Sequence, residues 1–354
     1  MDAASPFRAR IPRRRRWAIA VALTAASVIG VVVVSGRDGA APLPATPAPA
    51  RVALVYAKPV GTGFIARREV IYAASPVDTR PRRLAVGVSP LLSPDGTSVA
   101  YVGGPLEHPT GVRLISTLGG TPRIVGISGE PIAWSPDSRL LAVRGAHGLA
   151  IVGARTLRVM PIRLPEASYN FSFSPDGRTL AFQHSTGAGS DIYTVARTGG
   201  RIHRLTGGHR TGFPLWGPGG IAFERFGPDR CVNCHGDVWV MDDDGGNPHQ
   251  LTHTRAGIYP AAWSADGRRL LAAYPATNNG KLYAVDVASG TARALTPFVG
   301  DLNAQGLSRD GRTVLAAIGC GEILSPYGLV ETIPFSGGRP TVIIRGPCRA
   351  SSNF

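Results

Sequence analysis

The sequence predicts an all-β fold, a β-propeller of four-stranded blades behind a single N-terminal transmembrane helix. Two alternating hairpin patterns that recur about every 43 residues predict the blades, and one uncharged apolar run near the N-terminus predicts the helix. With 354 residues, 44% of them hydrophobic, the chain has enough apolar surface for a real core.

The formal charge of +15 invites a nucleic-acid reading, but its distribution argues against one. Lysine occurs only at Lys58 and Lys281; the remaining basic residues are arginines. Arg8, Arg10, Arg13, Arg14, Arg15 and Arg16 crowd ahead of the apolar run, and most others stand singly at turns and strand ends. No basic stripe with interleaved aromatics tracks a phosphate backbone.

Residues 17–35, WAIAVALTAASVIGVVVVS, form the uncharged run. As a helix rising ~1.5 Å per residue it covers roughly 28 Å, the thickness of the hydrocarbon layer. The arginines before it, against the cancelling Arg37 and Asp38 after it, place 1–16 as a cytoplasmic basic tail and everything beyond outside the membrane. The alternative is secretion after signal cleavage at the small residues Ala48-Pro49-Ala50, a site that lies well beyond the apolar run and contains proline. No cysteine near the run supports a lipid anchor. Residues 36–51, GRDGAAPLPATPAPAR, read as an extended Pro/Ala-rich linker.

Over 52–354 the chain repeats. LLSPDGTSVAYV (91–102), AWSPDSRLLAV (133–143), FSFSPDGRTLAF (171–182), LWGPGGIAF (215–223), AWSADGRRLLAA (262–273) and GLSRDGRTVLAA (306–317) are each an apolar strand, a polar turn and a second apolar strand. The turn residues Asp95, Asp137, Asp176, Asp266 and Asp310 are separated by 42, 39, 90 and 44 positions, and the degenerate turn 217–220 stands in the middle of the double interval. A second hairpin follows each: 113–125, 149–162, 191–206, 237–252, 281–296 and 329–344. Two hairpins per period make a four-stranded blade. Dividing 52–354 by the period gives seven blades, with 52–57 as a second strand, 69–75 and 82–86 as an outer pair, and the C-terminal CRASSNF supplying the missing inner strand; six blades is the alternative.

The turn S-P-D-G followed by a basic residue and L-A-[FVY], then D-[IV]-[YW]-x-[VM]-D and G-G-x-x-x-x-L-T, resembles the WD-like propeller repeat of TolB proteins and of prolyl-oligopeptidase-type peptidases. It covers most of 52–345. The resemblance implies a propeller, whose roles are many. A peptidase would carry a G-x-S-x-G elbow in a hydrolase domain, and no such motif occurs. In TolB an α/β domain precedes the propeller, whereas an anchor and linker stand there in this chain, so TolB's partners do not transfer.

Aspartates in S-P-D-G turns cap their own backbone, which makes the five turn residues structural rather than a ring of catalytic carboxylates. Asp242-Asp243-Asp244-Gly245-Gly246 lacks the alternating ligands and terminal Glu of a calcium loop. No metal site is expected. Cys231-Val232-Asn233-Cys234-His235 fits C-x-x-C-H, the attachment sequence for haem c, yet it sits within one blade with no segment spare for a haem pocket. A disulfide between Cys231 and Cys234 is the plainer expectation in an oxidising compartment, with a redox-active pair or a metal as further alternatives. Cys320 and Cys348 complete an even count and are expected to bridge near the C-terminus.

The expected function is non-catalytic: a cell-envelope scaffold that binds a protein or glycan at one end of the channel, with no cofactor and no nucleic acid. Tyr169, Asn170, His209, Arg210, Tyr259, Asp301 and Asn303 are the candidate rim residues, because they fall in or beside connections between a fourth strand and the next first strand. The alternatives are a propeller lyase or hydrolase acting on an extracellular polysaccharide, and a redox or haem protein built on Cys231, Cys234 and His235.

Overall fold

A computed structural model describes residues 54–59, 69–75, 78–104, 108–145, 148–227, 236–254, 256–274, 280–297, 299, 302–308, 310–318 and 329–345. The predicted membrane helix at 17–35, the linker, and all four cysteines lie outside these residues. Among the described residues no helix is long and apolar enough to cross a membrane.

Among the described residues six antiparallel four-stranded blades follow one another, the first of them extended by two further strands. The first holds β3 (Asp78–Leu92), β4 (Ser98–Gly103), β5 (Val112–Ser116) and β6 (Arg123–Ile124). The second holds β7 (Glu130–Trp134), β8 (Leu140–Gly145), β9 (Gly148–Gly153) and β10 (Val159–Ile162). The third runs through β11 (Ser168–Phe173), β12 (Thr179–Thr186), β13 (Gly189–Ala196) and β14 (Ile202–Arg204). Next come β15 (Thr211–Gly217), β16 (Gly220–Arg225), β17 (Asp237–Met241) and β18 (His249–Gln250). The fifth comprises β19 (Tyr259–Trp263), β20 (Arg269–Tyr274), β21 (Lys281–Asp286) and β22 (Ala292–Ala294). The sixth comprises β23 (Leu302–Leu307), β24 (Thr313–Ile318), β25 (Leu329–Pro334) and β26 (Thr341–Arg345).

The count of seven is therefore corrected to six. Of the strands assigned to a seventh blade, β1 (Leu54–Pro59) pairs with β2 (Glu69–Ser75), and β2 pairs with the first half of β3, whose second half is the inner strand of the first blade. They widen that sheet to six strands. The length arithmetic failed because the chain between β1 and β2, and between β24 and β25, exceeds what a tight turn needs.

Why the blades stack is visible in the second strands. On β24, Val314 and Ala316 belong to one apolar cluster, while Leu315 and Ala317 belong to another. On β20, Leu271 and Ala273 face one neighbour and Leu270 and Ala272 the other. Period-two alternation with both faces apolar buries each blade between two others. The cluster containing Leu315 and Ala317 also contains Tyr56, Ile71 and Leu114, so the N-terminal strands close the ring between its last and first blades.

Candidate binding site at the channel mouth

The antiparallel order gives the ring two unlike ends. The turns between first and second strands, with those between third and fourth, lie at one end; the other connections form the opposite mouth.

Each turn aspartate sits at the first end. Asp176 Oδ1 accepts from Ser174 Oγ at 2.6 Å and from the Arg178 amide at 2.9 Å, and Ser174 Oγ accepts from the Thr179 amide at 3.0 Å. The same arrangement recurs at Asp95, Asp137, Asp266 and Asp310. Partial burial of Asp95 and Asp137 works to raise their carboxyls, but these donated hydrogen bonds outweigh it and hold them below the usual range. Asp176 and Asp310 are lowered above all by Ser174 and Ser308. A depressed folded pKa contributes stability above the unfolded value, near 4, that is lost as pH falls through the folded one. The thermal midpoint is thus expected to fall below about pH 4, and Asp137→Asn should flatten that fall; an unchanged slope would contradict this account.

The aspartates that open third strands lie at the opposite end. Asp191, whose side chain is 1% exposed, pairs with Arg204 at 2.6 Å and His209 Nδ1 at 3.0 Å, and accepts from Thr206 Oγ1 at 3.2 Å. Asp237 accepts from Thr252 Oγ1, the Thr254 amide and Thr254 Oγ1 at 2.8–2.9 Å. In the third, fourth and fifth blades the Leu-Thr pair after the fourth strand closes the lock: the amides of Ile192, Val238 and Leu282 donate to Thr206, Thr252 and Thr296. These motifs fasten outer strands to the mouth.

The inner strand of every blade carries a register break. In the first, third and fourth blades, two residues oppose one, and the break includes a non-glycine residue in the left-handed region: Ser89 (φ 51°), Asn170 (φ 55°) and Phe213 (φ 54°). The residue facing each of these breaks is a buried aromatic, Tyr101, Phe182 or Phe223, where the other blades have Val143, Ala272 or Ala316. A ring in the second strand needs room that an aliphatic side chain does not, so the inner strand bows away from it. Left-handed non-glycine residues carry strain and persist only where their surroundings hold them.

Gln183 holds two of them. Its Oε1 accepts from Asn170 Nδ2 at 2.8 Å and from the Phe213 amide at 3.1 Å; its Nε2 donates to Ser190 Oγ at 2.9 Å and Tyr169 Oη at 3.1 Å. Tyr169 Oη also meets Ser185 Oγ, and Ser190 Oγ donates to the Thr211 carbonyl at 2.8 Å. Beside this network Phe213 stacks on Tyr259 with ring centroids 4.8 Å apart. Glu224, 3% exposed, lies next to them. Burial, reinforced by the charge of Asp237, pushes its carboxyl to about 8 against the opposing amide of Gly236, and burial with the charge of Glu224 pushes Tyr259 to about 12.

Of the residues singled out from sequence, Tyr169, Asn170 and Tyr259 meet in this cluster. His209 is tied to Asp191 at its edge, and Arg210 is exposed beside it, in a bridge to Ser190. Asn303 lies on β23, its side chain outside the described residues, as are Asp301, Cys231, Cys234, His235, Cys320 and Cys348. Gln183, Phe213 and Glu224 were missed. Aligning the repeats would have flagged two of them: Gln183 and Glu224 stand where three of the other second strands carry Val102, Ala273 or Ala317 and the second blade carries Arg144, and a polar side chain at a buried strand position needs a partner. Among the described residues no three His, Cys, Asp or Glu side chains are grouped to hold a metal ion.

The fold and this mouth define a six-bladed β-propeller with a preorganised polar and aromatic cluster at one end of its channel. Its repeat fold is TolB-like. No family model matches the sequence, and no curated protein does. Solved structures do match. TolB from Acinetobacter baumannii is 20% identical over 83% of this chain and 80% of its own, with a TM-score of 0.50. An oligogalacturonate lyase in complex with manganese is 16% identical over 82% and 84%, at 0.56. Prolyl oligopeptidase B from Galerina marginata is 14% identical over 85% of this chain at 0.56, and this chain spans about half of that enzyme (51%). At these identities the likeness is one of fold.

Proposed function

We propose that the chain is a membrane-tethered, extracytoplasmic propeller that binds a cell-envelope partner at the channel mouth without transforming it. The observation that carries this reading is the pair of strained inner-strand residues, Asn170 and Phe213, both held by the buried amide of Gln183. A surface fixed in an unfavourable conformation before any partner arrives lowers the ordering cost of binding. Topology supports the tether. Pro59 pairs with Glu69 and Val70 with Val86 at the mouth, so Leu54 lies at the opposite end and the chain from the proposed anchor at 17–35 enters there. The mouth then points away from the bilayer.

Photo-crosslinking in native membranes tests this. A crosslinker in place of exposed Arg210 is expected to give a discrete adduct, and one in place of Arg312, at the opposite end, is not. Equal adducts from both positions, or none from Arg210, would overturn the reading.

One observation favours the alternative of an enzyme acting on extracellular polysaccharide. Glu224, with a carboxyl raised to about 8 beside Tyr259, holds a proton at neutral pH as a general acid must. At 3% exposure the carboxyl is closed to a substrate in this conformation.

A further inference from the structure

Apart from the mouth cluster, the described residues line an open groove of about 770 Å³ between the third and fourth blades at the turn end of the ring. That volume lies within the ~300–1,000 Å³ typical of ligand sites. Its position coincides with a break in the repeat. Trp134 and Trp263 occupy equivalent places at the ends of β7 and β19, and each donates its indole N–H to the preceding blade's inner strand, to the carbonyls of Leu91 at 3.1 Å and Leu215 at 3.0 Å. Trp216, the equivalent residue of β15, does not. Its backbone amide donates to Ser172 Oγ at 2.9 Å, and its indole N–H donates to Asp243 Oδ1 at 2.6 Å, placing the half-buried ring on the groove wall.

The aspartate run 242–244 thereby gains a role. The turn that carries it packs on the third blade at Gly245 (φ 89°), where an added Cβ would lie 3.0 Å from the Leu205 carbonyl. Only a residue without a side chain allows that approach. Asp243 and Asp244 are held across the groove from Arg201 and His203. Asp244 Oδ1 is fixed by the Gly246 amide at 2.8 Å. Asp176, also on the wall, is offset by Arg178 at 3.8 Å. Acceptors and donors therefore stand beside an aromatic ring, with the three carboxylates of Asp176, Asp243 and Asp244 outnumbering the single guanidinium of Arg201.

We propose that this groove is a carbohydrate-binding site for a neutral glycan, with a sugar ring stacked on Trp216 and its hydroxyls shared between Asp243 or Asp244 and Arg201. A neutral polyol both donates and accepts hydrogen bonds and presents an apolar C–H face, which matches this lining; an anion would meet three carboxylates, and a cation seated among them would meet Arg201. The site is separate from the mouth and stands or falls apart from the proposed function there.

The test is a titration of the full chain in nanodiscs, free of sugar-based detergent, with short chito-, xylo- and malto-oligosaccharides, followed by calorimetry and tryptophan fluorescence. At least one series is expected to bind saturably. Trp216→Ala and Asp243→Ala should each weaken it by roughly tenfold or more, the scale of losing an aromatic anchor or a charge-assisted hydrogen bond. Trp216→Phe, which keeps a ring, should retain part of the affinity. Thermal melting separates site loss from unfolding. No saturable binding to any series, binding unchanged in a folded Trp216→Ala protein, or binding only of a lysine- or arginine-rich peptide would overturn the proposal.

Discussion

Gln183→Ala is expected to destabilise the fold by about 2–4 kcal/mol, measured by denaturant unfolding, and to abolish the Arg210 crosslink. The side chain is 4% exposed and uses its whole hydrogen-bonding capacity, two bonds accepted and two donated. Truncation leaves Asn170 Nδ2 and the Phe213 amide without their acceptor, and Ser190 and Tyr169 without their donor. It also opens space beside Gly212, whose added Cβ would otherwise lie 2.7 Å from Gln183 Oε1. The two strained inner-strand residues then lose their shared restraint. Gln183→Glu should be intermediate, because a carboxylate keeps both accepted bonds while losing both donated ones. A loss under about 1 kcal/mol for the alanine variant would show that the bulges are held by ring packing alone.

Glu224 is expected to make stability depend on pH in the direction opposite to the turn aspartates. Its folded pKa, about 8, lies above its ordinary value of 4.5. Between those values the native state holds a proton that the unfolded state has released. The contribution is therefore complete below about pH 4.5 and is lost progressively as pH rises to about 8, by an amount on the order of 5 kcal/mol. Glu224→Gln, which stays neutral at every pH, should flatten the curve between pH 5 and 8 and be the more stable protein at its upper end. Asp237, whose charge adds to the shift, gives a second handle: Asp237→Asn lowers the Glu224 pKa at the cost of loosening Thr252 and Thr254. A wild-type midpoint rising steadily from pH 5 to 8 would rule this account out.

The blade strands and their turns were legible in the sequence because they depend on local chemistry. Period-two alternation, turn glycines and the S-P-D-G sequence act within a few residues, so each repeat announces itself. Blade number was less legible: it depends on how β3 divides its hydrogen bonds between β2 and β4, and no local pattern states that. Of the mouth, Tyr169, Asn170 and Tyr259, which stand at the starts of inner strands, were reached from strand order alone. Gln183, Phe213 and Glu224 were not, since two sit inside strands that read as core and the third acquires its orientation from a bulge.

What the sequence by itself determined is the repeat, its strand order and the unlike character of the two ends, all consequences of short-range patterning. The tertiary structure alone decided that Gln183 joins two blades, that Glu224 sits in a place dry enough to keep its proton, and that Trp216 leaves the ladder its counterparts keep. Each of those depends on a partner roughly 12 to 30 residues away in the chain, brought close only when neighbouring strands and blades pack face to face.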